Sequence, residues 1–171
     1  MRRALLLFVL AVTGACGGST SPDTGSAPVL PALFVRSVSG QGVLDIAAAS
    51  TYAPAIVVGN RAEGDGARCT ITGFDVTVAN VAGNAMATFH SDAAAIVDGA
   101  HAGTPSYAEV TATLLDAATT AGARAQLSNK ASAERVIAFV SATGTSTTGV
   151  AVKSLPAQVP VDVCNGCLTS P

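Results

Sequence analysis

The stretch Gln158-Val159-Pro160-Val161-Asp162-Val163 decides the fold class, because its three valines alternate with polar residues and a proline. Successive side chains of a β-strand point to opposite faces of a sheet, so the valines share one face. The stretch therefore predicts a strand with one buried and one exposed face, as in an antiparallel sheet. Pro160 lacks a backbone donor, which predicts that this is an edge strand.

Eight further segments are short and apolar or alternating, and Gly, Asn, Pro and Ser separate them. Short strands broken by turn residues are typical of antiparallel sandwiches. The sequence predicts a mainly β protein, an antiparallel β-sandwich of immunoglobulin-like or related type with one α-helix. The further predicted strands are Leu33–Val38, Val43–Ile46, Ala55–Val58, Cys69–Val81, Met86–Phe89, Ala93–Val97, Arg135–Ala142 and Gly149–Leu155.

Local signals add two hairpins and the helix. The turn-rich segments 61–66 (Arg-Ala-Glu-Gly-Asp-Gly) and 144–149 (Gly-Thr-Ser-Thr-Thr-Gly) are each expected to join the strands on either side as a hairpin. The segment Thr104-Pro105-Ser106-Tyr107-Ala108-Glu109 carries a capping residue, a proline suited to a first helical turn and a Ser-x-x-Glu pattern. It predicts a helix from about Pro105 to Ala121, ended by Gly122.

Composition limits the class of protein. The chain has 171 residues, 49% of them hydrophobic and 12% charged, with a formal net charge of -2. This is enough for one globular domain and too little for two comfortable ones. With no basic run and a pI near 5.5, the chain lacks the positive surface that nucleic-acid binding needs.

The amino terminus reads as a secretion signal. Met1-Arg2-Arg3 is positively charged, Ala4–Val12 is an unbroken apolar run, and small residues follow it. Nine helical residues span about 14 Å, which is too short for a hydrocarbon core of about 30 Å. We therefore expect residues 1–15 to be a cleaved signal peptide.

The end of this segment, Val12-Thr13-Gly14-Ala15-Cys16, resembles the lipobox of bacterial lipoproteins, although the strongest lipoboxes have Leu where Thr13 stands. The resemblance implies that Cys16 becomes the first residue and carries two or three acyl chains, enough for stable membrane anchoring. Gly17 rather than Asp after the cysteine is similar to the default for outer-membrane delivery. The expected location is therefore the outer membrane, on either its periplasmic or its cell-surface side.

A tether and one domain follow. Gly17–Pro28 is rich in Gly, Ser and Pro and carries one charge, so residues 16–28 are expected to be the lipidated cysteine and a flexible linker with a reach of roughly 20 Å. Residues 29–171 have no break in composition and are expected to form a single β-sandwich domain.

The remaining cysteines are Cys69, Cys164 and Cys167, and in an oxidising compartment one bridge among them is expected. Their spacing leaves the connectivity open. On chain entropy alone, a bridge from Cys69 would contribute roughly 4.7 kcal/mol and a Cys164–Cys167 bridge roughly 2 kcal/mol. A redox role of the C-x-x-C is disfavoured, because only four residues follow it and a reactive pair needs a helix there.

The carboxyl-terminal Val163-Cys164-Asn165-Gly166-Cys167-Leu168 resembles that of a group of uncharacterised small bacterial lipoproteins that end in V-C-x-G-C-L. The resemblance supports the envelope context and implies no activity.

Both histidines lie close to two carboxylates, and His90, Asp92, Asp98 and His101 are weak metal candidates. Their spacing matches no known ligand frame, so a polar surface loop is the preferred interpretation and no metal is predicted. Glu63-Gly64-Asp65-Gly66 is likewise interpreted as a turn, since two carboxylates fall short of a calcium site.

The expected function follows from these features. The chain has no G-x-S-x-G or Ser-x-x-Lys motif, so no enzyme activity and no cofactor are predicted. We expect a lipid-anchored structural or binding module whose partners are the membrane and an unidentified envelope or extracellular protein. The alternative is an envelope enzyme or a redox or metal-binding protein that uses Cys164 and Cys167, or the segment from His90 to His101.

Overall fold

The structure, a computed structural model, describes residues 29–40, 42–127 and 133–168. Most of its strands lie where the sequence predicts them. The elements are β1 (Leu33–Val38), β2 (Val43–Asp45), β3 (Ala55–Asn60), β4 (Cys69–Asn80), β5 (Ala85–Val97), β6 (Ser106–Thr111), α1 (Ala117–Gln126), β7 (Glu134–Ser146), β8 (Ala151–Lys153) and β9 (Ala157–Cys164).

Two sheets face each other. The small sheet has the order β1-β3-β6 and is antiparallel throughout. The large sheet has the order β2-β9-β7-β4-β5, and β8 pairs with β7 beside this path. Only β2 and β9 run parallel among the strand pairs of the described residues. The predicted β-sandwich with one helix is therefore confirmed.

The core between the sheets consists mainly of aliphatic side chains, and valine is the commonest residue type in it. Phe74 on β4 is the largest fully buried side chain among the described residues, and it is 0% exposed. Ile56 on β3 and Leu114, which precedes α1, are also completely buried. On the outer face of the small sheet, the Phe34 ring lies directly over Gly59, where an added Cβ would come within 2.3 Å of the ring.

Strand β9 has the predicted alternation. Val159, Val161 and Val163 are buried, while Pro160 is exposed. The expectation of an edge strand was wrong, because β9 lies between β7 and β2. Asp162 donates its backbone N–H to the Gly42 carbonyl oxygen (2.6 Å) on the β2 side. Pro160 faces that side two residues earlier, before the β2 pairing begins, so its missing donor leaves no gap.

The predicted helix from Pro105 to Ala121 was wrong in its first half. Residues 106–111 form β6, which pairs along its whole length with β3. The helix begins later, where the Asp116 side chain accepts the backbone N–H of Thr119 (2.7 Å), and Gly122 lies inside it. Half-buried and exposed residues alternate along β6 with the period of a strand, so pairing with β3 outweighs the local capping pattern.

Two other local predictions had mixed outcomes. Segment 144–149 does form the β7–β8 hairpin, although β7 extends through Ser146. Segment 61–66 joins no hairpin, because it leads from β3 in the small sheet to β4 in the large one. The two predicted strands at 86–89 and 93–97 are one strand, β5, which pairs with β4 across a bulge.

The sandwich has two distinct ends. The amino-terminal pole is the end that holds Ala32, at the start of the domain. There Arg61 donates its backbone N–H to the Ala32 carbonyl (3.1 Å), and the Thr147 hydroxyl donates to the Gly66 carbonyl (3.1 Å). The opposite end, the disulfide pole, contains segments 39–40, 42–54, 80–84 and 165–168. The 13-residue strand β7 runs from one pole to the other, a length of about 40 Å at ~3.3 Å per residue.

The helix α1 has 10 residues. In the part of the chain that the structure describes, no helix has the length and apolar character needed to cross a membrane.

The core packing predicts how stability responds to truncation. Replacing Phe74 with Ala leaves a cavity in a fully buried site and should lower the free energy of unfolding by about 3–5 kcal/mol. The matched control is Leu155→Ala, at a side chain that is 86% exposed, and it should change that free energy by no more than about 0.5 kcal/mol. Urea unfolding followed by circular dichroism measures both, and equal midpoints for the two variants would contradict this packing.

Candidate functional site

The C-x-x-C segment forms a compact loop at the disulfide pole. Cys164 and Cys167 are disulfide-bonded, and their Cα atoms are 5.9 Å apart. Gly166 has φ +82°, a left-handed conformation that suits the Asn-Gly turn between the cysteines. Cys164 is buried at 1% exposure, whereas Cys167 is exposed. One sulfur is therefore fixed in the fold and the other faces solvent.

The side chain of Asp45 is hydrogen-bonded to this loop. Its residue is only 2% exposed, and its carboxylate accepts the backbone N–H groups of Gly166 (2.7 Å), Leu168 (2.9 Å) and Ala47 (3.0 Å). The hydrogen bonds from Gly166 and Leu168 are the main reason that the pKa of Asp45 lies below its ordinary value. Asp45 is thus an ionised, buried carboxylate that is bonded mainly to the C-x-x-C loop.

Strand β2 brings Asp45 to this position. It pairs in parallel with β9, so that Asp45 lies opposite Cys164, and the Ile46 N–H donates to the Cys164 carbonyl (2.9 Å). One ligand atom from each of Asp45, Cys164 and Cys167 lies within 4.8 Å of the others. Sequence reasoning identified both cysteines and missed Asp45, since nothing around Asp45 in the sequence indicates a parallel pairing with a segment more than 100 residues away.

The third cysteine lies far from the other two. Cys69 is at the amino-terminal pole, where it pairs with Ser146, while Cys164 lies one residue beyond the Val163–Glu134 pair. The separation along β7 is about 40 Å, and a disulfide needs Cα atoms within about 7 Å. The long bridge that chain entropy favours is therefore excluded by geometry. Cys69 is a free, buried thiol, and burial raises its pKa.

The four weak metal candidates form two separate groups. His90 and Asp92 lie on the outer face of β5, with His90 Nε2 3.8 Å from the Asp92 Oδ1. The other ring nitrogen, Nδ1, lies 2.8 Å from Asp75 Oδ1, and Lys153 donates to Asp75 Oδ2 (2.6 Å). The hydrogen bond from Lys153, followed by that from His90, lowers the pKa of Asp75. This group is an exposed charge network on a sheet.

Asp98 and His101 belong to the amino-terminal pole. Asp98 pairs with Arg68 (2.6 Å), and His101 begins a tight turn that ends at Thr104. Both line a polar cavity of about 620 Å³, together with Glu63, Ser106 and Thr147. The structure therefore does not bring His90, Asp92, Asp98 and His101 together. Cys16 lies outside the described residues.

Comparisons with known proteins add little. The chain matches no family model and no curated protein. Among solved structures, it is similar to the Northeast Structural Genomics Consortium target SoR45, at 8% identity over 82% of this chain and 92% of that chain, with a TM-score of 0.41. It is also similar to a putative late embryogenesis abundant (LEA) protein, at 10% identity over 79% of this chain and 72% of that chain, with a TM-score of 0.42. Likeness at this level assigns no function.

The lowered pKa of Asp45 predicts how stability depends on pH. The stabilisation from the ionised carboxylate is complete above the ordinary Asp pKa of about 3.9 and is lost as the pH falls through the lower value of the folded state. Asp45→Asn, which leaves a backbone N–H without its acceptor, should lower the melting temperature at pH 7. The difference from the wild-type protein should shrink below about pH 4.

Asp92→Asn is the matched control, because the Asp92 side chain is fully exposed. Its melting temperature should follow that of the wild-type protein from pH 7 down to pH 2. A difference between the Asp45→Asn and wild-type melting temperatures that stays constant over this range would contradict the assigned role of Asp45. Differential scanning calorimetry over a pH series measures all three proteins.

Proposed function

We propose that the protein is a lipoprotein of the bacterial outer membrane whose β-sandwich serves as a binding module. Two features support the anchor: the lipobox-like Val12-Thr13-Gly14-Ala15-Cys16 and the positive, apolar segment before it. The β-sandwich domain follows the expected tether closely, since its first strand begins at Leu33.

Attachment depends on the acyl chains and not on charge. Cleavage before Cys16 removes Arg2 and Arg3, while all 11 acidic residues remain in the mature chain. A surface with this acidic excess is not attracted to anionic lipid. Two or three acyl chains on Cys16 would hold the protein stably without any contact between the domain and the bilayer.

The observation that carries the proposal is the position of Val29–Ala32 at the amino-terminal pole, where Ala32 N–H donates to Asn60 Oδ1 (2.9 Å). A tether attached there directs this pole towards the membrane. The disulfide pole then points away from it, about 40 Å further out along β7. The domain is in this arrangement a spacer that presents one end to partners.

The presented pole has a suitable surface for a protein partner. An apolar groove of about 320 Å³ lies beside Asp45 and is lined by Val43, Tyr52, Pro54 and Leu168. Leu168 is 57% exposed, and Val81, on the β4–β5 turn of the same pole, is 69% exposed. Apolar side chains rimmed by polar loops are the composition that protein-binding sites favour.

Lipidation is tested at Cys16. The wild-type chain expressed in a lipoprotein-processing bacterium should be found in the outer-membrane fraction, and mass spectrometry should detect acyl chains on the peptide that begins with Cys16. Cys16→Ser removes the thioether, so the same domain should lose its acyl chains and its detergent-sensitive partition. Cys69→Ser is the control, and it should leave acylation and fractionation unchanged. An unmodified Cys16 in the wild-type protein would overturn the anchor.

The orientation is tested with single introduced cysteines. Val150 lies in the β7–β8 turn of the amino-terminal pole, and Val81 lies in the turn at the disulfide pole; both are exposed. With the lipidated protein in vesicles, a fluorophore on Val150→Cys should be quenched strongly by spin-labelled lipid headgroups. A fluorophore on Val81→Cys should be quenched at least several-fold less. The reverse order, or equal quenching, would overturn the proposed presentation.

A further inference from the structure

We propose that reduction of the Cys164–Cys167 disulfide turns this corner of the disulfide pole into a binding site for a thiophilic divalent cation of the zinc type, with Asp45 as the third protein ligand. The inference does not depend on lipid anchoring or on the proposed binding function. It rests on the donor atoms that the fold has already gathered there.

The spacing of the donor atoms suits such a cation. One atom from each of Asp45, Cys164 and Cys167 lies within 4.8 Å of the others. In a tetrahedral zinc site, two sulfur ligands about 2.3 Å from the metal lie about 3.8 Å apart, and each lies about 3.6 Å from a carboxylate oxygen bound at about 2.0–2.2 Å. Breaking the S–S bond lets the sulfurs separate, so small side-chain movements bring all three donors to these distances.

Asp45 is prepared to act as a ligand. Its three hydrogen bonds from Ala47, Gly166 and Leu168 fix the carboxylate in place. A carboxylate has about four acceptor positions, so one remains for a metal ion. An aspartate carboxylate needs no proton loss at neutral pH before it binds a metal ion. Hydrogen-bonded ligands of this kind are typical of built metal sites.

The loop retains its support without the disulfide. The bridge closes a loop of only four residues, and short loops contribute the least chain entropy to stability. Asp45 holds the loop through backbone groups, and β9 is paired with β7 up to Val163 and with β2 up to Cys164. The reduced segment should therefore keep its position and present two thiols beside the carboxylate.

The chemistry balances with a dithiol as the reductant. The reductant transfers two electrons and two protons: the protein S–S bond breaks, two protein thiols form, and the reductant closes its own disulfide. Binding of the cation then displaces one proton from each of Cys164 and Cys167. Two thiolates and one carboxylate leave a fourth tetrahedral position, which solvent can reach because Cys167 is exposed. In the oxidised protein neither sulfur can bind in this way.

The test uses the full chain, extracted in detergent, reduced with dithiothreitol and desalted without oxygen. Co²⁺ is the probe, because thiolate coordination gives it an intense charge-transfer absorption. The reduced protein should bind one Co²⁺ per chain with this absorption, and the oxidised protein should show none. Equal binding by both forms, no saturable binding by the reduced form, or one Co²⁺ shared by two chains would each overturn the proposal.

Variants assign the ligands. Cys167→Ser alters an exposed side chain and should keep the fold, yet it should weaken Co²⁺ binding at least 10-fold and reduce the charge-transfer absorption. Asp45→Asn should weaken binding at least 10-fold while it keeps both thiolates. Cys69→Ser and Cys16→Ser are controls with unchanged binding, and the second separates this result from any failure of lipidation. An Asp45→Asn protein that stays folded and binds as tightly as the wild-type protein would overturn the three-ligand site.

Discussion

The antiparallel pairing of β4 with β7 is the constraint on which the rest of the structure depends. Its register runs from Cys69 opposite Ser146 at one end to Asn80 opposite Val136 at the other. Two strands this long fix a distance of about 40 Å between the poles. The pairing separates Cys69 from the C-x-x-C loop, and it places the start of the domain and the disulfide at opposite ends. Loop-closure entropy has no influence on cysteines that the sheet holds so far apart.

The predictable part of the fold is the part encoded with a period of two. In β9 the three valines are buried as their spacing predicts, because alternation reports directly which face of a strand meets the core. The helix shows the limit of local reading. The Ser106-Tyr107-Ala108-Glu109 pattern satisfies the chemistry of a helix start, yet these residues pair with β3. The pairing half-buries one face of β6, and a capping box contributes too little to compete with it.

The candidate site was predictable only where its residues are neighbours in sequence. Cys164 and Cys167 are identified by their spacing, and the Asn-Gly between them predicts the turn that Gly166 makes. Asp45 is 121 residues from Gly166, whose N–H it accepts. It lies beside the loop because β2 pairs in parallel with β9, and no local sequence pattern predicts this pairing. The four metal candidates are close in sequence and far apart in the fold. His90 and Asp92 lie on the outer face of β5, whereas Asp98 and His101 lie at the amino-terminal pole.

Asp45 also stabilises the C-x-x-C loop at the disulfide pole. A carboxylate taken out of water needs hydrogen bonds to replace its hydration, and here three backbone N–H groups supply them. Gly166 and Leu168 lie beyond the last strand, and these hydrogen bonds attach them to Asp45 on β2. Two independent interactions therefore stabilise the loop: the disulfide between its cysteines and the hydrogen bonds to the buried Asp45 carboxylate. The loop can therefore lose its disulfide and keep its conformation through the hydrogen bonds to Asp45. The two sulfur atoms are then available to bind a metal ion.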